Sequence, residues 1–199
     1  MKIGVLGGTF DPVHTGHLLL AEWALEQLAL QEVLWVPSGD PWRKSTRTVT
    51  PAEHRAAMVR LAIEGNEAFQ FSSLEVDRSG ASYSVDTLAE LRRKDPPREL
   101  FFLLGVDALQ DLPNWREPTR LIELATLAVA PRGADRPSTE ELERLLIGLG
   151  RRIVWVEMPR IEISGTELRQ RASEGRSLHY LVPEAVEAYI RQHQLYRQD

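Results

Sequence analysis

Cysteine does not occur among the 199 residues. That absence removes disulfides, thiolate nucleophiles and thiolate metal sites together, and it fits a reducing compartment such as the cytoplasm. Long apolar runs are missing too. Gly7, Gly8 and Asp11 interrupt the apolar start at Ile3–Leu6 well before it reaches the length of a signal core. No stretch approaches the roughly 20 apolar residues of a membrane span. Positive charge is not in excess, since 24 Lys and Arg face 29 Asp and Glu for a net charge of -5. Nothing therefore argues for nucleic acid or a lipid surface as partner. A chain of this sign that binds an anion must gather its cations locally. The expectation is a cytoplasmic enzyme or binding protein, without internal repeats, low-complexity tracts or linkers.

Apolar residues make up 43% of the chain, enough for a real core. Apolar runs and alternation predict strands over 2–6, 33–36, 69–76, 100–104, 127–130 and 153–156. Helices are predicted over 16–29, 52–64, 85–93, 108–112, 119–125 and 164–171, and over 183–192 with Pro183 in the first turn. Thr50 is read as the cap of the second helix, with Pro51 at its first position. Ser138-Thr139-Glu140-Glu141 is a capping box opening a helix to Leu149. Residues 37–51 and 132–137 read as loops, the first of them mobile. The run 100–104 is apolar throughout, as in a strand buried on both faces. Strands alternating with helices imply an α/β fold, a doubly wound parallel sheet with helices on both faces. Residues 1–199 are read as one domain, with a small helical part from about 164.

The densest stretch is Gly7-Gly8-Thr9-Phe10-Asp11-Pro12-Val13-His14-Thr15-Gly16-His17. It joins the first strand to the first helix. Glycine lets the backbone approach a ligand, and a helix start offers free N–H groups and a positive dipole end, which suits phosphate. His14 and His17, three residues apart, can face the same phosphate. The Walker pattern is absent and the glycine spacing does not match a dinucleotide fingerprint. As metal ligands the pair lacks an evident third histidine, because the others are His54, His179 and His193. A second turn, Gly105-Val106-Asp107, closes the strand at 100–104. Ligands in such sheets sit beyond the carboxyl ends of the strands.

The run G-G-T-F-D-P-V-H-x-G-H resembles the signature of the nucleotidylyltransferase superfamily, and in detail that of the bacterial nicotinate-nucleotide adenylyltransferase family. The resemblance continues through Ser82-Tyr83-Ser84-Val85-Asp86-Thr87, Gly105-Val106-Asp107, Trp115 and Ile163-Ser164-Gly165-Thr166-Glu167-Leu168-Arg169. It extends to Tyr180-Leu181-Val182-Pro183 and Leu195-Tyr196. Two departures stand out: Pro41-Trp42-Arg43-Lys44 replaces P-P-H-K, and Gly165 replaces the second serine of I-S-S-T.

The resemblance implies a Rossmann-like sheet and adenylyl transfer from ATP to nicotinate mononucleotide. Gly7, Gly8, Thr9, Phe10, His14 and His17 would hold ATP, with His17 closest to the α-phosphate. A neutral imidazole becomes easier to protonate beside polyphosphate. Ile163, Ser164, Thr166 and Arg169 form a second ATP set, although Ser164-x-x-Glu167 is also a capping box. Gly105 and Asp107 would meet the ribose, although Asp107 can equally cap a helix. Lys44, with Arg43, would neutralise the mononucleotide phosphate or the leaving pyrophosphate. Trp115 would stack on the pyridine ring. Tyr83 would shape the pocket, Ser84 would supply backbone N–H groups to the nicotinate carboxylate, and Gly8 would line it. Asp86 and Thr87 fit the first turn of a helix. His14, His17, Lys44 and Arg169 are the catalytic candidates. Mg²⁺ would arrive with ATP and need no protein cage. The alternatives are a related transferase with another phosphate acceptor or a cytidylyl donor, and a nucleotide-sensing module without turnover.

Overall fold

Five successive residues, Leu100–Leu104, are buried in one strand. Side chains alternate across a strand, so both of its faces are covered, as in the middle of a parallel sheet. The structure is a computed structural model that describes residues 1–41, 49–131 and 136–197. In chain order its elements are β1 (Lys2–Gly8), α1 (Thr15–Gln27), β2 (Glu32–Pro37), α2 (Ala52–Ile63), β3 (Phe69–Phe71), α3 (Ser84–Lys94) and β4 (Glu99–Gly105). There follow α4 (Val106–Gln110), α5 (Pro118–Leu124), β5 (Thr126–Ala130), α6 (Thr139–Leu145), β6 (Ile153–Trp155), α7 (Gly165–Ser173) and α8 (Glu184–Gln192). The sheet order is β3-β2-β1-β4-β5-β6. The order reverses between β1 and β4, which makes this a doubly wound α/β sheet of Rossmann-like type.

The chain divides into two compact units. The first holds Met1–Gly7, Leu20–Leu34 and Tyr83–Arg160. Its parallel pairs set Ile3 beside Leu100, Leu103 beside Ala128 and Ala128 beside Val154. Gly4 is required here, because a Cβ would lie 3.0 Å from both Leu30 Cδ1 and Val33 Cγ2. The face of α3 carrying Val85, Leu88 and Leu91 is buried, and α3 packs on α5.

The second unit holds Gly8–Leu19, Trp35–Ser82 and Ile161–Asp199. There α2 packs on α8, and Ser72 N–H bonds the Trp35 carbonyl at 2.9 Å. Trp35 is fully buried, with its ring 5.6 Å from Phe10 and 5.4 Å from Phe69.

Several expectations change. The strand expected over 69–76 ends at Phe71. Local turn bonds win over alternation: Ser73 Oγ donates to Asp77 Oδ2 at 2.6 Å, and Asp77 N–H bonds the Ser73 carbonyl at 2.8 Å. Pro51, not Thr50, is the N-cap of α2; the Thr50 carbonyl instead accepts from Arg55 Nε at 2.7 Å. The helix expected to reach Leu149 stops at Leu145 although its capping box forms. The Glu143 carboxylate takes the N–H groups of Gly148 and Gly150, which turns the chain early. Helix α4 starts at Val106 rather than at 108, with Gly105 as its N-cap. At Ser164 only half of the expected box forms: its hydroxyl accepts from Glu167 N–H at 3.2 Å. Among the described residues no helix is long and apolar enough to cross a membrane.

Candidate active site

In the second unit, the turn after β1 is built around residues that only a crowded site tolerates. Phe10 has φ +50, in the left-handed region, yet its side chain is 2% exposed. Its ring meets His17 edge-on at 5.0 Å. The rings of His14 and His17 stack at 3.7 Å with a 24° tilt. His14 N–H donates to His17 Nδ1 at 3.2 Å, so the ring proton of neutral His17 sits on Nε2. Gly16 permits the stack, since a Cβ there would lie 3.1 Å from His14 Nδ1.

The two imidazoles differ. His14 is buried, and burial pushes its pKa down to about 4. Its Nδ1 is buried without a hydrogen-bond partner. The start of α1 offers fewer donors than expected: Thr15 N–H bonds the Leu181 carbonyl and His17 N–H the His14 carbonyl, each at 2.9 Å. The amides of Thr15 and His17 are thus already engaged.

Arg169 folds back toward the start of α7, as its lean along the helix predicts. Its Nη2 donates to Thr166 Oγ1 at 3.2 Å and its Nη1 to the Asp11 main-chain oxygen at 2.7 Å. Arg169 is thereby brought to the turn that carries His14. Gly165 has a steric basis here. A Cβ would sit 3.1 Å from the Asp11 oxygen and 3.2 Å from Arg169 Nη1. Ser164 and Thr166 are exposed and Ile163 half-buried.

Sequence reasoning missed Arg55 in this unit. It is 1% exposed and donates to four carbonyls: Thr50 at 2.7 Å, Thr9 at 2.9 Å, Ser38 at 2.5 Å and Gly39 at 2.7 Å. A signal existed, because Arg55 shares the buried face of α2 with Met58, Val59 and Ile63. A cation in that phase needs acceptors.

In the first unit, Gly105 ends β4 in the open, and a Cβ there would meet nothing within 4 Å. Asp107 lies exposed in the first turn of α4. A Cβ on Gly7 would meet the Phe102 ring at 3.3 Å; in the second unit, one on Gly8 would meet the Phe10 ring at 3.2 Å. Trp115 is half-buried. Its Nε1 donates to Asp111 Oδ2 at 3.2 Å, and its ring stands at 81° to that of Phe102. Tyr83 is the N-cap of α3 and Ser84 its first residue. The N–H groups of Asp86 and Thr87 bond the Tyr83 carbonyl, so the Ser84 N–H stands outside the helical ladder. Arg116, also missed, lies over the Tyr83 ring at 4.5 Å and 3.9 Å from Asp86 Oδ2. Asp86 is therefore part of a charge pair rather than only a first-turn acid. Lys44 and Arg43 lie outside the described residues, as does the stretch 42–48 that carries them. No group of three or more His, Asp or Glu that could hold a metal occurs among the described residues.

The family model described as cytidylyltransferase-like matches residues 5–171. A probable nicotinate-nucleotide adenylyltransferase of Thermomicrobium roseum is 44% identical over 196 residues, covering 98% of this chain and 92% of the relative. One from Synechococcus sp. (strain JA-2-3B'a(2-13)) is 45% identical over 197 residues, covering 99% and 98%. Among solved structures, Plasmodium falciparum nicotinic acid mononucleotide adenylyltransferase complexed with NaAD superposes with a TM-score of 0.82 at 19% identity, covering 98% and 97%. That last likeness establishes the shared fold. The family match, and sequence agreement with these relatives along nearly the whole length of both chains, make this chain a member of the cytidylyltransferase-like family and, within it, of the nicotinate-nucleotide adenylyltransferases.

Proposed function

We propose that the chain transfers the adenylyl group of ATP to nicotinate mononucleotide, giving nicotinate adenine dinucleotide and pyrophosphate. A non-bridging oxygen of the mononucleotide phosphate attacks the α-phosphorus. The bond from the α-phosphorus to the bridging oxygen breaks, and its electron pair leaves with pyrophosphate. The attacking oxygen is already ionised, so no general base is needed. The barrier lies in aligning two anions and stabilising charge as it moves.

One observation carries this reading: the stacked His14–His17 pair and the Arg169 guanidinium converge on the turn after β1 through Asp11. His17, with its proton on Nε2, donates to the α-phosphate. Arg169 and the hydroxyls of Ser164 and Thr166 bind the remaining phosphate oxygens, with Ile163 beside them. The backbone of Gly7, Gly8, Thr9 and Phe10 lines the nucleotide. His14, neutral in the free protein, gains a proton more readily once polyphosphate is near. Gly105 leaves room for the ribose and Asp107 accepts from its hydroxyls. Lys44 neutralises the mononucleotide phosphate or pyrophosphate.

The Trp115 face stacks on the pyridine ring, while Tyr83, Gly8 and the Ser84 N–H enclose it. The Arg116 guanidinium over Tyr83 supports an anionic ring substituent, hence nicotinate over nicotinamide. Mg²⁺ enters with ATP, held by phosphates and water. Residues 1–199 act as one nucleotidylyltransferase domain with a helical part from about 164, a reading supported by the discontinuous chain of each compact unit.

The test is a product assay with ATP and a panel of nicotinate mononucleotide, nicotinamide mononucleotide and pantetheine phosphate. Nicotinate adenine dinucleotide is the expected product. Turnover of pantetheine phosphate alone overturns the proposal, and equal use of the amide removes the acid preference. His17→Ala is expected to lower kcat by about 10²–10³ with the fold intact.

A further inference from the structure

Asp11 is 4% exposed and lies three residues before His14. Its two kinds of acceptor serve two different elements. The carboxylate Oδ1 accepts the Tyr196 hydroxyl at 2.9 Å, and the main-chain oxygen accepts Arg169 Nη1 at 2.7 Å. Tyr196 follows α8 by four residues and is 185 positions from Asp11 in sequence. Its hydroxyl also bonds the Thr50 side chain. Burial, together with the Asp11 carboxylate, pushes the Tyr196 hydroxyl up, so it remains a protonated donor.

The backbone on both sides of this bond is unusual. Phe10 has φ +50 and Tyr196 itself φ +69. L-residues with side chains this bulky rarely occupy that region, and they stay there only where the surroundings over-determine it. At Phe10 the constraints can be named. The preceding carbonyl, Thr9, is held by Arg55 at 2.9 Å. The following residue, Asp11, is held by Tyr196 on its side chain and by Arg169 on its backbone. The Phe10 ring meets the edge of His17. A shift of Asp11 therefore moves the contact that orients His17 and the acceptor that orients Arg169.

We propose that Tyr196 is a positioning residue for adenylyl transfer: its hydroxyl fixes Asp11, and through Asp11 it sets the Arg169 guanidinium and the Phe10–His17 contact. The inference rests on the assignment of His17 and Arg169 to the phosphates of ATP. It concerns alignment for the reacting state more than affinity, so kcat and KM respond differently.

The experiment is Tyr196→Phe in the full chain, which removes one oxygen and keeps the ring. Its kcat with ATP and nicotinate mononucleotide is expected to fall about tenfold, with KM for the mononucleotide within about twofold. Assays run well below the unfolding midpoint of both proteins. A lowered midpoint with unchanged kcat in the folded enzyme would mean a structural role only and overturn the proposal. In an Asp11→Ala background, which lacks the acceptor, Tyr196→Phe should reduce kcat by clearly less than in the wild type, since coupled residues are not additive. Full, independent losses would overturn it too. A readout without turnover is the NMR resonance of the His17 ring nitrogens, expected to shift in Tyr196→Phe while His179 stays in place. A wild-type protein that fails to make nicotinate adenine dinucleotide sinks the assigned reaction, and the His17 resonances still test the clasp. Product formation with neither kcat nor His17 moved sinks the clasp alone.

Discussion

Burial changes what kind of base the His14 imidazole is. His14 holds its pKa near 4 because burial disfavours the cation. In the unfolded chain the same ring titrates near its ordinary 6.5. Between those values the unfolded state binds a proton that the folded state does not, so stability rises with pH across the window and is lost as pH falls through it. Below about 4 both states are protonated and His14 has no further effect. The full difference is on the order of 3 kcal/mol. His14→Gln, which cannot titrate, should flatten the stability profile between pH 4 and 6.5. Denaturant unfolding at a series of pH values measures this, and an unchanged slope would remove His14 as its source. The placement of a residue at this scale was legible where its contacts are local. The spacing of His14 and His17 and the backward lean of Arg169 could be read directly. Tyr196 could not be given its bond to Asp11, because no local pattern reports a contact made across 185 positions.

Just beyond β2, Gly39 is tightly seated. Gly39 N–H donates to Ser82 Oγ at 3.0 Å, and its carbonyl accepts from Arg55. A Cβ there would collide with the Glu75 carbonyl oxygen and lie 3.1 Å from its carbon and 3.4 Å from Val76 Cα. All three atoms are main chain and cannot rotate away. Gly39→Ala is expected to destabilise by about 2–3 kcal/mol, read as a lower denaturant midpoint. A change under about 0.5 kcal/mol would show that the 72–81 loop yields instead. Turn residues marked Gly39 as part of a loop without showing that its backbone is packed. The capping box of α6 was legible because Ser138 and Glu141 are neighbours. The early end of β3 was not, because Ser73 and Asp77 close a turn inside an alternating pattern.

At the scale of the whole sheet, β4 lies inside it, between β1 and β5. Leu103 is 1% exposed. Leu103→Ala removes its transfer energy and leaves a cavity, together about 2–5 kcal/mol. For a chain of this size that lowers the melting temperature by roughly 5–15 °C, and calorimetry checks it. A drop of only a degree or two would mean that the neighbours close the gap. The unbroken apolar run made β4 readable as a strand buried on both faces, and alternation of strands with helices made the sheet readable as parallel. The lateral order β3-β2-β1-β4-β5-β6 was not readable, because it depends on pairings between distant segments.

The buried guanidinium of Arg55 addresses four main-chain oxygens. A tether of that kind is indifferent to the letters it grips. So far as these four bonds go, positions 9 and 38 can be rewritten without untying the loops that meet there, whereas Thr50 also meets Tyr196 through its side chain. Position 55 has no such latitude, since lysine offers neither the planar fork nor enough hydrogens to reach four partners at once.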